Sequence, residues 1–297
     1  MKYKFVFLGS LCAVICGILF YVNQAANSQP YNIQVSFIDV GEGDSALIQN
    51  SEGYNILIDG GQISEGQTVL AYLRNNGVYS LSAVIASHAD SDHIGGLISV
   101  LEATDISVDA VIYNGYPGDT QTWNEFALAV ADEGLTLVPA QFPGELTWGM
   151  TTAYILNPLP GMVNPDTNEV SLVLLFDQLE IEYLFPGDID STVESEIIAR
   201  GTPVAADILK VAHHGSNTST SSEFLNAVQP FDSVISVGPN PYGHPGVETL
   251  GRLLTIGSNI WRTDIHGTIL ITSDDGSTYQ VIPTSIGVYI YLPMVIR

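Results

Sequence analysis

Cysteine is almost absent from this sequence outside its first thirty residues. Cys12 and Cys16 are the only two cysteines in 297 residues, and both fall within the apolar run from Phe5 to Val22. The rest of the chain has no internal disulfide, so its apolar core must stabilise it. A metal site there must use histidine and carboxylate ligands in place of thiolates.

Basic residues are also scarce. The chain has 8 lysines and arginines against 32 aspartates and glutamates, which gives a formal net charge of −24. After Lys2 and Lys4 the only lysine is Lys210. A nucleic-acid-binding protein normally carries a basic surface that displaces counterions from phosphates, and no such stripe is visible. The acidity therefore predicts solubility outside the cell and disfavours long polyanions.

Long apolar runs are limited to one, from Phe5 to Val22 behind Lys2 and Lys4. This pattern predicts that residues 1–30 are a signal peptide or an N-terminal membrane anchor, in contact with the membrane or the translocon. The expected location is extracellular or the cell surface. At the other end, residues 281–297 are apolar and aromatic, and predict a closing strand or a tail.

Strand and helix patterns alternate from Ile33 onwards. Three short runs rich in Ile, Val and Phe come first, and segments with helical spacing then separate later apolar runs such as "LSAVIA" and "IEYLF". This order predicts an α/β layered fold, in which the loops at strand ends are available for chemistry.

The stretch "SHADSDHIGG" (87–96) follows "LSAVIA" and concentrates two histidines and two aspartates: His88, Asp90, Asp92 and His93. Imidazole and carboxylate are the ligand types that hold Zn²⁺, Mn²⁺ or Fe without cysteine. The alternative is a polar turn in which Asp92 caps the following helix.

Further histidines and an aspartate also follow predicted strands. Asp188 ends "LFPGD", His213 and His214 lie in "AHHGS", and His244 lies in "PYGHPG". Because five of the six histidines fall at strand ends, convergence on one metal site is the favoured interpretation. His266, in "TDIHGT", is predicted to be an ordinary turn residue.

Eight segments together resemble the metallo-β-lactamase fold, and specifically the extracellular hydrolase domain of ComEC/Rec2-type competence proteins. They are "FIDVGEGDSALI", "ILIDGG", "SHADSDHIGG", "NEVSLVLLF", "YLFPGDI", "ADILKVAHHGS", "GPNPYGHP" and "TDIHGTILI". The resemblance implies an αββα four-layer sandwich, with residues 31–280 as the hydrolase domain. The sequence lacks the family's membrane channel, which suggests a stand-alone exported relative, also similar to secreted phosphorylcholine esterases.

The same resemblance implies two divalent metal ions, Zn²⁺ or Mn²⁺. One ion would be held by His88, Asp90 and one of His213 and His214, the other by Asp92, His93 and His244 as a further candidate, with Asp188 bridging both.

Other positions of the family pattern surround these ligands. Asp59 would orient the metal-binding loop without touching metal. Asp90 replaces a histidine of many fold members, and a harder carboxylate would favour Mn²⁺ over Zn²⁺. Asn168 and Ser171 stand where other members place a third-motif histidine, which would leave the first metal one ligand short and open to substrate.

The implied mechanism is an in-line displacement at phosphorus, since two cations about 3.5–4 Å apart acidify a bridging water and clamp the reacting oxygens. Asp92, or whichever of His213 and His214 is not a ligand, would handle the proton.

Two further groups could meet the substrate anion. On a strand, positions 210, 212 and 214 share a face, so Lys210 would point at the site and stabilise phosphoryl charge; a strand-end salt bridge is the alternative. Ser216 and Asn217 would offer backbone N–H groups at the start of a helix.

The sequence thus predicts an exported metal-dependent phosphodiesterase. DNA is the substrate that the resemblance implies, whereas the charge favours a smaller phosphodiester. The alternatives are a non-catalytic, metal-stabilised surface binding module and a hydrolase of another ester, such as phosphorylcholine, a lactone or a sulfate.

Overall fold

The computed structural model describes residues 32–163 and 165–285. The leader predicted for residues 1–30, and residues 286–297 of the predicted tail, lie outside this part. No helix of the described part is long and apolar enough to cross a bilayer.

Short strands make up most of the regular structure in the described residues. In chain order they are β1 (Ile33–Phe37), β2 (Ala46–Asn50), β3 (Asn55–Ile58), β4 (Ser80–Leu81), β5 (Ala83–Ala86), β6 (Ser107–Val108), β7 (Val111–Tyr113), β8 (Leu137–Pro139), β9 (Gly144–Trp148), β10 (Thr151–Asn157), β11 (Val173–Gln178), β12 (Ile181–Phe185), β13 (Ile208–Lys210), β14 (Asp232–Ile235), β15 (Asn259–Arg262), β16 (Ile269–Ser273) and β17 (Gln280–Pro283).

Helices alternate with many of these strands. They are α1 (Gly66–Asn75), α2 (Ser91–Leu101), α3 (Gln121–Asp132), α4 (Ser191–Ala199), α5 (Ser222–Val228), α6 (Val247–Ile256) and the single turn α7 (Thr263–His266). Ile63–Glu65 and Ala212–Gly215 form 3₁₀ turns.

Two mixed sheets dominate the topology. The first has the strand order β17-β16-β1-β2-β3-β5-β7-β8, and the second has the order β15-β14-β13-β12-β11-β10-β9. Strands β3, β5, β7 and β8 run parallel in the first sheet, as do β12 to β15 in the second. Parallel neighbours require crossover connections, which is why helices separate several of them along the chain.

Each sheet buries one face against helices. Leu57 and Val84 of the first sheet share an apolar core with Phe126 of α3. Leu184 of the second sheet shares another with Phe224 of α5. The sheets meet each other through aromatic residues such as Phe37 and Phe185, whose ring centroids are 5.6 Å apart. The layers are therefore helix, sheet, sheet, helix, and the expected αββα sandwich is confirmed.

Helix α2 begins inside the "SHADSDHIGG" stretch and not after it. α2 starts at Ser91, so Asp92 and His93 lie in its first turn. Asp90 occupies the cap position, but its side chain accepts no hydrogen bond from the helix. The capping role considered for Asp92 is therefore not what this structure shows.

The predicted C-terminal boundary of the hydrolase domain, residue 280, falls inside a strand. β17 spans the predicted limit at residue 280 and pairs antiparallel with β16, with Ile269 opposite Pro283. Residues 281–283 of this segment thus belong to the edge strand of the first sheet. The small pair β4 and β6 and the edge strand β9 were not anticipated from the sequence.

A carboxyl pair lies at the start of β12, at the opposite end of that strand from Asp188. The backbone N–H of Glu182 donates to Asp207 Oδ2 at 3.1 Å, and Asp177 is its cross-strand neighbour. Burial, a hydrogen bond with Asp207 and the charges of both aspartates raise the pKa of Glu182 to about 7, from an ordinary value of 4.5.

This raised pKa predicts a pH-dependent stability. Protonated Glu182 favours the folded state fully below about pH 4.5, and that contribution disappears as the pH rises through 7. The unfolding free energy of Glu182→Gln, compared with that of the parent protein, is therefore expected to increase as the pH rises from 4.5 to 7.5. Urea unfolding at four pH values checks this; a difference between the two proteins that does not change with pH would contradict it.

Candidate metal centre

The polar side chains converge where parallel strands of both sheets end. In the first sheet, β3 leads to Asp59 and β5 leads to His88. In the second sheet, β12 leads to Asp188 and β13 leads to His214. Because the two sheets face each other, these strand ends meet at one edge of the sandwich.

Asp188 is the centre of the cluster. Its Oδ2 lies 3.3 Å from His93 Nε2 and 3.4 Å from His214 Nε2. Four overlapping groups of three side chains have ligand atoms within 4.8 Å of one another: His88 with His93 and Asp188, Asp92 with His93 and His214, Asp44 with Asp59 and His93, and Asp44 with Asp188 and His214. His214 Nε2 is 3.5 Å from Asp92 Oδ2. The cluster therefore offers several sets of ligand atoms to a divalent cation.

Several ligand atoms of this cluster are buried without a hydrogen-bond partner. They are Nε2 of His88, His93 and His214, and Oδ1 of Asp44 and Asp188. Buried polar atoms in folded proteins are almost always satisfied, so a group of orphaned ones that share a centre requires an explanation. Imidazole nitrogens and carboxylate oxygens are ligands of Zn²⁺ and Mn²⁺. The residues present thus fit divalent metal ions.

Hydrogen bonds on the far side of His93 fix its orientation. Its Nδ1 lies 2.8 Å from Asp59 Oδ2, and Asp59 also accepts hydrogen bonds from the backbone N–H and the hydroxyl of Ser87. A carboxylate can only accept, so Nδ1 of His93 carries a proton, and Nε2, which faces Asp188, is the nitrogen that a cation could bind in place of a proton. Asp59 thus fixes the ring of His93 through a direct hydrogen bond.

An acidic turn between β1 and β2, Gly41–Asp44, contributes two carboxylates that the sequence reasoning missed. Asp44 Oδ1 lies 3.3 Å from His214 Nδ1, and Glu42 Oε1 lies 2.9 Å from His244 Nδ1. Both carboxylates are buried. The signal was present in "DVGEGDS", where glycines flank acidic residues directly after a buried strand.

The buried charges of the cluster are strongly unequal. Glu42, Asp44, Asp59 and Asp188 are buried carboxylates, whereas Lys210 is the buried ammonium beside them. Uncompensated buried charge is costly, so this environment favours cations.

The ionisation of the central residues reflects the same imbalance. Burial alone would raise the pKa of Asp188, but His214 and His93 hold it well below its usual range. Conversely, burial would lower the pKa of His93 and of His214, but neighbouring carboxylates raise both well above the ordinary value. Without a metal, protons on the two imidazoles supply the positive charge that the carboxylates require.

A family model described as "Metallo-beta-lactamase superfamily" matches residues 38–238, which contain most of this cluster. The chain belongs to the metallo-β-lactamase superfamily. The resemblance drawn from the eight sequence segments is therefore confirmed.

Relatives and a solved structure of the superfamily agree with this assignment. ComE operon protein 3 of Bacillus subtilis (strain 168) is 29% identical over 282 residues, 88% of this chain and 35% of that protein. Competence protein ComA of Neisseria gonorrhoeae is 30% identical over 253 residues, 84% of this chain and 34% of that protein. The chain thus spans about a third of these relatives' length. The metallo-beta-lactamase fold protein YhfI from Bacillus subtilis, 14% identical, superposes with a TM-score of 0.56 over 82% of this chain and 100% of YhfI.

The grouping of the superfamily ligands differs in part from the sequence expectation. His214 is the buried member of its pair and lies with Asp92 and His93, not with His88 and Asp90. Asp90 instead approaches His88, with Oδ2 3.6 Å from Nε2.

The two remaining histidines line the rim of the centre. His213 is half-buried, and its Nε2 lies 4.0 Å from Asp188 Oδ2. The His244 ring centroid is 5.4 Å from that of His213. Neither joins the tight groups of ligand atoms found among the described residues.

The strand-face reasoning for Lys210 was wrong. β13 ends at Lys210, and His213 and His214 adopt left-handed backbone angles, with φ values of 50° and 51°. The alternation of a strand therefore does not extend to His214. The Lys210 ammonium is buried, 2.7 Å from Asp44 Oδ2, and donates to the carbonyl of Val211. The salt-bridge alternative describes this contact.

The third-motif positions support the loop that carries Asp188. Ser171 Oγ accepts a hydrogen bond from the Asp188 backbone N–H at 3.1 Å, and the Asn168 carbonyl accepts from Ser171 N–H at 3.0 Å. Neither belongs to a ligand group. Ser216 was expected to bind an anion, but its N–H already donates to the His213 carbonyl at 2.8 Å. That expectation fails because the group is occupied and helix α5 begins only at Ser222.

Proposed function

We propose that this chain is an exported, dinuclear metal-dependent hydrolase of small phosphodiesters. The observation that carries the proposal is the convergence of orphaned ligand atoms, Nε2 of three histidines and Oδ1 of Asp188, in a carboxylate-rich site. Membership of the metallo-β-lactamase superfamily supports it, because metal-dependent hydrolysis is typical of that fold.

The side chains divide into two ligand sets around Asp188. His88 and His93 would hold one ion with Asp188, and Asp92 and His214 would hold the other beside it. Divalent ions bound there would acidify a water molecule and stabilise charge on the phosphoryl oxygens. His213, half-buried at the rim, would be the member of the pair left to move a proton at its Nε2.

A small substrate fits the charges better than a long nucleic acid. The net charge is −24, and the ammonium that touches the cluster, on Lys210, is already paired with Asp44. Among the described residues, the other ion pairs at the site involve histidines and no further lysine or arginine. The name of the ComA relative, a competence protein, is the observation that favours DNA instead.

Metal content and turnover test the proposal together. Purified protein is expected to hold two Mn²⁺ or Zn²⁺ ions per chain and to hydrolyse bis-p-nitrophenyl phosphate. His88→Ala should lower the rate at least about 100-fold, because it removes a ligand. The matched control is His266→Ala, which removes a histidine whose Nδ1 bonds the backbone of Arg262 outside the cluster.

The outcomes separate the alternatives. One tightly bound ion with no turnover of phosphodiester, phosphorylcholine, lactone or sulfate ester would replace the hydrolase with a metal-stabilised binding module. Turnover of an ester other than a phosphodiester would keep the enzyme and change its substrate. Degradation of DNA that weakens steeply with added salt would restore the nucleic acid.

A further inference from the structure

We propose that the acidic turn Gly41–Asp44 is a positioning element that orients two histidines of the centre, His214 and His244, and that Lys210 holds this turn in place. The inference rests on the metal centre proposed above. It assigns Glu42, Asp44 and Lys210 a role in holding a ligand histidine, His214, and a rim histidine, His244, not in contacting substrate.

The first contact concerns His214. Its Nδ1 faces two groups that can only accept hydrogen bonds, the Ser236 carbonyl at 3.1 Å and Asp44 Oδ1 at 3.3 Å. Nδ1 must therefore carry a proton, so Nε2 is the nitrogen that can bind a cation once its own proton has left. That nitrogen is buried and lies 3.4 Å from Asp188 Oδ2. Asp44 thus helps select the tautomer that can bind a cation.

The second contact concerns His244. Glu42 Oε1 lies 2.9 Å from His244 Nδ1, while Glu42 Oε2 accepts a hydrogen bond from the Gly238 backbone N–H at 3.0 Å. Each oxygen of Glu42 therefore meets one donor. Because Gly238 begins the loop that carries His244, one side chain fixes both the loop and the ring.

Backbone contacts fix the turn itself. Asp44 N–H donates to the Asp92 carbonyl at 3.1 Å, and a Cβ on Gly43 would lie 2.4 Å from that same oxygen. On its other side, a Cβ on Gly238 would lie 2.5 Å from Gly41. The turn is thus packed between the first turn of helix α2, which carries Asp92, and the loop of His244, with no space for a side chain at Gly43 or Gly238.

Lys210 makes an ionised Asp44 tolerable inside the protein. Its ammonium lies 2.7 Å from Asp44 Oδ2, so the two oxygens of Asp44 meet Lys210 and His214 separately. Lys210, the one lysine beyond residue 4, therefore pairs with Asp44, the carboxylate that lies beside His214.

Isosteric amides test the positioning role. Glu42→Gln and Asp44→Asn keep the side-chain shape, but an amide can satisfy only one of the two donors that each carboxylate meets. Lys210→Met removes the ammonium. Asp232→Asn is the matched control, since Asp232 is equally buried and accepts from Trp261 Nε1 and Tyr279 Oη, both at 2.7 Å, at the far end of the second sheet.

Affinity for Mn²⁺ and Zn²⁺, by chelator competition, is the main measurement. Asp44→Asn and Lys210→Met are each expected to weaken the binding of at least one ion about 10- to 100-fold, whereas Glu42→Gln is expected to change the ring environment of His244. Asp232→Asn is expected to lower the unfolding free energy and leave both affinities unchanged. A folded Asp44→Asn protein with parental affinity for both ions would overturn the inference.

A fallback variant and an NMR measurement complete the test. Should Asp44→Asn fail to fold, the metal affinity of Lys210→Met and the His244 shifts of Glu42→Gln decide, because Glu42→Gln leaves the Lys210–Asp44 pair intact. Imidazole ¹⁵N shifts of His214 and His244 in metal-free protein should show protonated Nδ1 that changes in the respective variant; unchanged shifts in both variants also overturn the inference. If the parent protein binds no metal while these shifts do change, the proposed function fails and the positioning role stands.

Discussion

Asp188→Asn is expected to lower kcat for phosphodiester hydrolysis at least about 10³-fold while the protein stays folded. Asp188 Oδ2 is within 4.0 Å of an imidazole nitrogen of His93, His213 and His214, and its Oδ1 is buried without a partner. Asparagine preserves the volume and removes the negative charge at the point where both ligand sets meet. Both ions should therefore bind more weakly, and the loss should appear in kcat even at high metal concentration.

The neighbouring Asp190→Asn is the control for this substitution. Asp190 follows Asp188 in the same loop, but its Oδ1 accepts from the N–H groups of Thr192 and Val193 as the cap of helix α4. Asparagine is also a good cap residue, so stability and kcat should both stay near the parental values. Steady-state rates and metal content by mass spectrometry decide. An Asp188→Asn protein with more than a tenth of the parental kcat would contradict the central position of Asp188.

Gly96→Ala is expected to cost about 3 kcal/mol or more of unfolding free energy. A Cβ at position 96 would lie only 1.9 Å from the carbonyl oxygen of Gly60. The obstacle is backbone, and it is held from both sides: Gly60 N–H donates to the His93 carbonyl at 2.7 Å, and Gly96 N–H donates to the Gly61 carbonyl at 2.9 Å. Relief would require helix α2 to move away from the loop that follows Asp59.

The matched substitution is Gly251→Ala in helix α6. Gly251 is exposed, and no atom would lie within 4 Å of an added Cβ. Alanine should therefore raise the unfolding free energy by about 0.5–1 kcal/mol through helix propensity alone. Urea unfolding of the two variants should give effects of opposite sign; similar effects would show that α2 and the Asp59 loop tolerate separation.

Spacing along the chain was sufficient to find the centre of the site. His88, Asp92 and His93 follow one buried strand, Asp188 follows another, and the end of a parallel strand is a place where such side chains can meet. The layered fold followed from the same alternation of strands and helices. These inferences needed only local patterns.

What the sequence could not supply depended on contacts between distant segments. The left-handed turn at His213 and His214 stops the strand alternation, and nothing in "KVAHHG" alone announces it. Whether Lys210 faces the substrate or a carboxylate depends on Asp44, which precedes it by more than 160 residues. The Ser216 N–H donates to the His213 carbonyl, a hydrogen bond that depends on the folded turn.

The ligands come from both sheets of the sandwich: His88 and His93 follow the first, whereas Asp188 and His214 follow the second. Loading with metal would therefore be thermodynamically linked to the docking of one half of the chain on the other. A hundredfold excess of free ion over its dissociation constant would add about 2.7 kcal/mol to the folded state. The melting temperature of such a protein becomes a property of the surrounding medium as much as of the polypeptide, and chelators should act on it as mild denaturants.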